Sequence, residues 1–290
     1  MSVDSNGPVL ALSSGSLYSY GLERVFELAA WAGFDGMEVL IDGRWDTRQA
    51  DYLRGLQERY SLPVVSLHSP FVLRVDGWER DEVSRLKRTV ALAEELGART
   101  VVAHPPLRWH WAFIITTGGH HWRLPLPWWR NGREYGRWLQ EELADFQAGT
   151  PVIIALENMP ARHWGLWRLQ RFRFGGPMGL ERFPHLTLDT AHWGTWGVDI
   201  LEVYERLKER VAHVHLSDYD GDKEHLLLGK GRLPLREFLR KLVADGFAGV
   251  IVVELDPRPL EAADEATVRR HLKAACEFCR QQGVGRRLFA

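Results

Sequence analysis

Eight short apolar runs recur along the chain, and longer segments with helical spacing separate them. The candidate strands are Val9–Leu12, Gly36–Leu40, Val64–Leu67, Thr100–Ala103, Val152–Leu156, Leu186–Leu188, Ala212–His215 and Val250–Glu254. In the first intervening segment Leu22, Val25, Phe26, Leu28 and Ala29 make one apolar face, the signature of an amphipathic helix. The same spacing predicts helices over Thr47–Tyr60, Glu79–Leu96, Arg133–Gln147, Ile200–Glu209, Leu235–Ala244 and Ala262–Cys279. Gly33, Gly97 and Gly246 each follow such a stretch, where a left-handed C-cap is wanted. Strands alternating with helices imply a parallel sheet. A closed (β/α)8 barrel, which takes roughly 250 residues plus loops, fits the 290-residue chain. The alternative, a doubly wound open sheet, usually places a Gly-rich phosphate turn after its first strand. Here that stretch reads LSSGSLYSYG, without G-x-G-x-x-G. With no linker and no low-complexity segment, the expectation is an α/β fold: one TIM barrel domain over residues 1–290.

One segment breaks the rhythm. Residues 105–132, PPLRWHWAFIITTGGHHWRLPLPWWRNG, are too long for an ordinary loop after the fourth strand and are rich in Trp, His and Arg. As a Trp-rich insertion at the barrel mouth they read as a lid or an aromatic substrate platform. An oligomer contact, and so a homo-oligomer, is the other reading.

The formal net charge is −1, so no global basic field advertises nucleic acid. The opening MSVDSNGP carries no apolar signal-peptide core, and no apolar stretch is long enough to span a bilayer. A cytoplasmic protein with no membrane partner is the expectation. The two cysteines, Cys276 and Cys279, fall inside the last helix with no second Cys or His pair nearby, so they read as part-buried helix residues.

Barrel active sites are built at the C-terminal ends of strands. Six consecutive candidate strands end in His68, in His104, in Glu157, in Asp189 with His192 one turn on, in His215 with Asp218, and in Glu254. Singly, a strand-end histidine is a hydrogen-bonded loop residue and a strand-end aspartate a helix N-cap. Together, in a barrel, they crowd one small volume, which carboxylates and imidazoles tolerate only with a compensating cation. The donor set suits a divalent metal: Zn, Mn, Co or Mg. One site is expected, and two or three remain open.

The motifs ALENMP, LTLDTAHWG, VAHVHLSD and VVELDP resemble the xylose isomerase-like TIM barrels, a superfamily of sugar isomerases and epimerases that also includes endonuclease IV-type repair enzymes. The resemblance covers nearly the whole chain apart from residues 105–132. It implies that Glu157, Asp189, His215 and Glu254 hold one metal, with His192 touching substrate or a further metal. It also implies an isomerase or epimerase that acts on a sugar or polyol through a metal-stabilised enediolate. Glu157 and Glu254 would exchange the proton beside the carbonyl from opposite sides of the sugar. Where related epimerases carry a second acidic residue six positions after the first glutamate, this chain has His163. His163, Asp218, Trp193 and Lys230 are candidate substrate contacts. Lys230, in the turn HLLLGKGRLP, would meet a substrate phosphate if it is more than a solvated loop residue.

The competing reading is an endonuclease IV-like zinc phosphodiesterase that acts on abasic-site DNA. His68 and His104 match that group's extra ligands, and His192 and His225 match part of a third site. The aspartate expected there falls on Lys223. Arg44 and Phe71 would serve as a backbone contact and a wedge. A third alternative is a sugar-binding barrel without catalysis, which would not need the Glu157 and Glu254 pair.

Overall fold

The structure, a computed structural model, describes residues 7–71, 75–108, 111–117, 120–125, 132–164 and 167–285. Eight parallel strands close into a barrel. In chain order they are β1 (Val9–Ser13), β2 (Gly36–Leu40), β3 (Val64–His68), β4 (Thr100–Ala103), β7 (Ile153–Glu157), β10 (Leu186–Asp189), β11 (Val211–Leu216) and β12 (Val250–Val253). Around the barrel the order is β1-β12-β11-β10-β7-β4-β3-β2, and Val9 pairs with Val250 to close the circle. The expected (β/α)8 fold is therefore present, and each strand lies within two residues of its expected ends.

Helices cover the outside of the barrel. They are α1 (Leu22–Ala32), α2 (Ala50–Tyr60), α3 (Glu82–Leu96), α4 (Arg133–Glu141), α5 (Leu143–Ala148), α6 (Thr190–Trp196), α7 (Ile200–Leu207), α8 (Leu235–Ala244) and α9 (Glu265–Arg280). With helices on one face and barrel interior on the other, the strands lose the in–out alternation of an exposed sheet: β4, β10 and β12 bury every residue. Phe26 and Phe238 are fully buried. Each such ring contributes about 1.5–3 kcal/mol over leaving it in water.

Local chemistry sets the helix ends. Asp81, Asp199 and Asp264 accept backbone N–H groups at the starts of α3, α7 and α9, which moves the expected starts at Glu79 and Ala262 inward by three residues. Gly33 and Gly97 adopt φ values of 93° and 72° and cap the last carbonyls of α1 and α3. The single helix expected over Arg133–Gln147 is two, because the backbone leaves helical geometry at Glu142, with φ −121°. At the far end of the barrel Arg280 on α9 donates to Asp35 Oδ1 at 2.7 Å and to the Gly33 carbonyl at 2.9 Å, while Asp35 Oδ2 accepts Leu10 N–H at 3.0 Å. The last helix is thus tied to the first two strands.

Two antiparallel hairpins were not expected. One, β5 (Trp111–Thr117) with β6 (His120–Pro125), lies inside the Trp-rich segment, and the remainder of residues 109–131 falls outside the described residues. The other, β8 (Ala161–Trp164) with β9 (Trp167–Gln170), follows β7. Cys276 and Cys279 are buried and free, and the Cys276 thiol donates to the Gly33 carbonyl. Burial pushes both thiols up in pKa, away from redox reactivity. Among the described residues no helix is long and apolar enough to cross a membrane.

Candidate metal centre

Glu157, Asp189 and His215 lie on β7, β10 and β11, and Glu254 follows β12 directly. One ligand atom from each comes within 4.8 Å of the others. His215 Nδ1 stands 3.0 Å from Glu157 Oε1, 3.2 Å from Glu254 Oε2 and 3.9 Å from Asp189 Oδ2. Glu157, Asp189 and His215 are almost wholly buried, while Glu254 keeps 21% of its side chain exposed toward the mouth.

Each ligand is held by what precedes it in the chain. Asp189 ends β10 and starts α6. Its Oδ1 accepts the His192 N–H at 2.6 Å, so the residue is the N-cap of the helix. Its Oδ2 is buried and makes no hydrogen bond among the described residues, and it faces the other three ligands. One oxygen of this carboxylate caps the helix, and the other is left free to hold a cation. The neighbouring Asn158 side chain locks β7 to β10, accepting Asp189 N–H at 2.7 Å and donating to the Asp189 carbonyl at 3.0 Å.

The donor set fits a divalent cation. Three carboxylates and an imidazole nitrogen converge with an unpartnered buried oxygen among them, and a buried anion cluster of this kind demands positive charge. The titration of the cluster reflects that demand. Burial pushes the Asp189 carboxyl up, and the nearby Glu157 and Glu254 charges add to this against His192 and His225. Burial would lower His215, but Glu254, Glu38 and Glu157 outweigh it and hold the imidazole well above its ordinary value. Burial would raise Glu157, yet His215 and His104 hold it well below the usual carboxylate range.

The other strand-end histidines surround this centre in two further groups. His68 and His104 meet Glu157 Oε2 through Nε2 at 3.5 and 2.9 Å. His192 and His225 meet Asp189, their rings edge to face at 5.2 Å. Backbone carbonyls fix one proton on each of two rings: His68 Nδ1 donates to Ser69 O and His192 Nδ1 to Asn158 O, both at 2.8 Å, so Nε2 is the nitrogen left for other partners. His225 sits at φ 55°, a backbone region costly for a non-glycine residue.

Other expected contacts resolve differently. Asp218 is fully buried and uses its carboxylate on the N–H groups of Tyr219, Gly229 and Leu233, so it organises the loop after β11 instead of meeting substrate. Trp193 is 1% exposed and belongs to the core, which corrects its reading as a substrate contact. Arg44 is spent on Asp42 and on the carbonyls of Tyr18 and Tyr20, which leaves it poorly placed to grip a phosphate. Lys230 is exposed in the loop beside Asp220 and Arg232. The His163 side chain lies outside the described residues. Phe71 is 58% exposed, with its ring stacked 5.4 Å from His104.

The sequence reading missed Glu38 and His213, both wholly buried inside the barrel beneath His215. Two signals were available. A glutamate inside the apolar run GMEVL needs a buried partner. His213 and His215, two apart on a strand, share one face.

Residues 26–274 match the family model described as xylose isomerase-like TIM barrel. An uncharacterised protein of Mycobacterium leprae is 33% identical over 280 residues, covering 88% of this chain and 91% of that protein. A crystal structure of a D-tagatose 3-epimerase-like protein superposes with a TM-score of 0.63 at 22% identity, covering 95% of this chain and all of that one. An AP endonuclease, family 2, from Brucella melitensis superposes with a TM-score of 0.62 at 17% identity, covering 87% and 94%. With the closed barrel and a match over most of its length, this chain belongs to the xylose isomerase-like TIM barrel family.

Proposed function

We propose that the protein is a divalent-metal-dependent isomerase or epimerase of a sugar or polyol. One observation carries the reading: Glu157 and Glu254, the two glutamates of the ligand cluster, reach His215 Nδ1 from either side of β10 and β11, at 3.0 and 3.2 Å. Glu157, Asp189, His215 and Glu254 would hold the cation, and a bound divalent cation supplies Lewis acidity that polarises a carbonyl and acidifies the adjacent C–H. The protein's part is the proton. Glu157, kept ionised by His215 and His104, takes it from the carbon beside the carbonyl, and Glu254, open to the mouth and carrying a proton from solvent, delivers that proton on the other face. His104 Nε2 lies 2.9 Å from Glu157 Oε2, beside the first carboxylate. The fold shared with a D-tagatose 3-epimerase-like protein is in keeping with this reading.

The test has two parts. Metal content per chain, measured on protein purified without added metal, is expected close to one. Ketoses incubated in D2O with the Mn-, Co- or Mg-loaded protein are expected to gain deuterium beside the carbonyl. A panel with no exchange under any of these metals would overturn the reading.

The groups His68–His104–Glu157 and Asp189–His192–His225 favour one second reading, a zinc phosphodiesterase. It requires two or three tightly held Zn per chain and incision of duplex DNA at an abasic site.

A further inference from the structure

Glu38 is a charged residue in the middle of a barrel strand, fully buried, with its carboxylate surrounded by three donors. Oε1 lies 3.0 Å from His215 Nε2. Oε2 lies 3.0 Å from His213 Nε2 and accepts the Ser66 hydroxyl at 3.0 Å. We propose that Glu38 is a positioning residue that fixes the tautomer and ring plane of His215, so that Nδ1 is presented as a metal ligand. The inference rests on the metal reading above and concerns a residue outside the four ligands.

The argument is one of proton accounting. An ionised carboxylate only accepts, so His215 Nε2 must carry a proton to satisfy it. A neutral imidazole has one N–H, and Nδ1 then holds a lone pair. That lone pair faces Glu157, Asp189 and Glu254, none of which can donate to it as carboxylates. A metal cation bound by all four would satisfy the Nδ1 lone pair and the three carboxylates together. His68 and His192 present Nε2 because backbone carbonyls claim Nδ1, whereas His215 presents Nδ1 because Glu38 claims Nε2. Glu38 is itself built in. It pairs with Ser66 across β2 and β3, and His213 reaches it from the same face of β11 as His215. A carboxylate behind a ligating histidine also raises the basicity of the ligand.

The experiment is equilibrium binding of Co2+, read by visible absorption, to the wild type and to Glu38→Gln, with thermal melting of the metal-free proteins as the fold control. The amide keeps shape and one acceptor but removes the charge. Glu38→Gln is expected to bind Co2+ roughly 10- to 100-fold more weakly while melting like the wild type. In Zn2+-loaded, 15N-histidine-labelled wild type, His215 is expected protonated at Nε2 and not at Nδ1. Ser66→Ala, which removes one support of Glu38, is expected to weaken Co2+ binding in the same direction by less, and it carries the test if Glu38→Gln fails to fold. Unchanged Co2+ affinity in the folded variants, or a proton on Nδ1 in the loaded protein, would overturn the positioning role alone. A wild type that binds no Co2+ would overturn the metal reading together with it.

Discussion

Asp189 caps the helix that carries His192: its Oδ1 accepts the His192 N–H at 2.6 Å while Oδ2 stays without a hydrogen bond among the ligand atoms. The two oxygens are separable by mutation. Asp189→Asn keeps a capping oxygen and loses the anionic ligand, so the metal-free protein should denature at nearly the wild-type midpoint while metal is lost on dialysis. Asp189→Ala loses both functions and should cost about 1 kcal/mol more in denaturant titration. Equal metal retention in Asp189→Asn would show that Oδ2 is not a ligand.

Glu157→Gln and Glu254→Gln should each lower solvent exchange at the carbon beside the carbonyl by about 100-fold or more, since each removes one acid–base group. Circular dichroism should report an intact barrel in both. Full exchange activity in either variant would sink the two-glutamate mechanism.

Phe71 stacks on His104 at the mouth and is mostly solvent-exposed. Phe71→Ala should leave stability within about 0.5 kcal/mol, as expected for an exposed site. It should raise KM for the substrate more than it changes kcat. A lowered kcat at unchanged KM would place the ring in the chemistry and not in binding.

Asp81 caps α3 through the Ser84 N–H at 2.8 Å. Slight burial would raise its pKa, but the hydrogen bonds from Ser84 prevail and lower it. A depressed folded-state pKa gives stability that is present above the unfolded value and is lost as pH falls through the folded one. Asp81→Ala should therefore cost about 1 kcal/mol near neutrality. The gap to the wild type should close as pH drops below about 3.9, the ordinary aspartate value. A gap that persists in acid would mean packing and not the charged cap.

Arg280 and Asp35 join the last helix to the first strands, with Asp35 only 6% exposed at its side chain. Asp35→Ala removes the carboxylate partner of the Arg280 guanidinium, which keeps the Gly33 carbonyl, and the acceptor of the Leu10 N–H, and should cost about 3 kcal/mol in chemical denaturation. A loss below about 1 kcal/mol, typical of a surface ion pair, would show that the contact is not structural.

Period and punctuation made the barrel legible in the chain. Apolar runs bounded by Gly33, Gly97 and Gly246 mark the strand starts, because a buried parallel strand needs apolar residues on both faces and a helix needs a left-handed stop. The strand ends that converge in the barrel were legible for the same reason: Glu157, Asp189 and Glu254 each break an apolar run where it leaves the barrel. What the linear pattern does not encode is which atoms meet. Asp189 looks like a cap or a ligand in sequence, and only the packed barrel shows one oxygen capping the helix and the other buried without a hydrogen bond among the described residues. Glu38 and Ser66 come from neighbouring strands and His213 from a distant one, so their meeting beneath His215 depends on barrel closure and register. Asp218 and Trp193 carry functional residue types at functional-looking positions, yet local hydrogen bonding and core packing claim them. Residue types at strand ends were readable because the backbone period is local. Hydrogen-bond partners, tautomers and burial were decided by the tertiary structure, because they depend on groups tens to hundreds of residues apart.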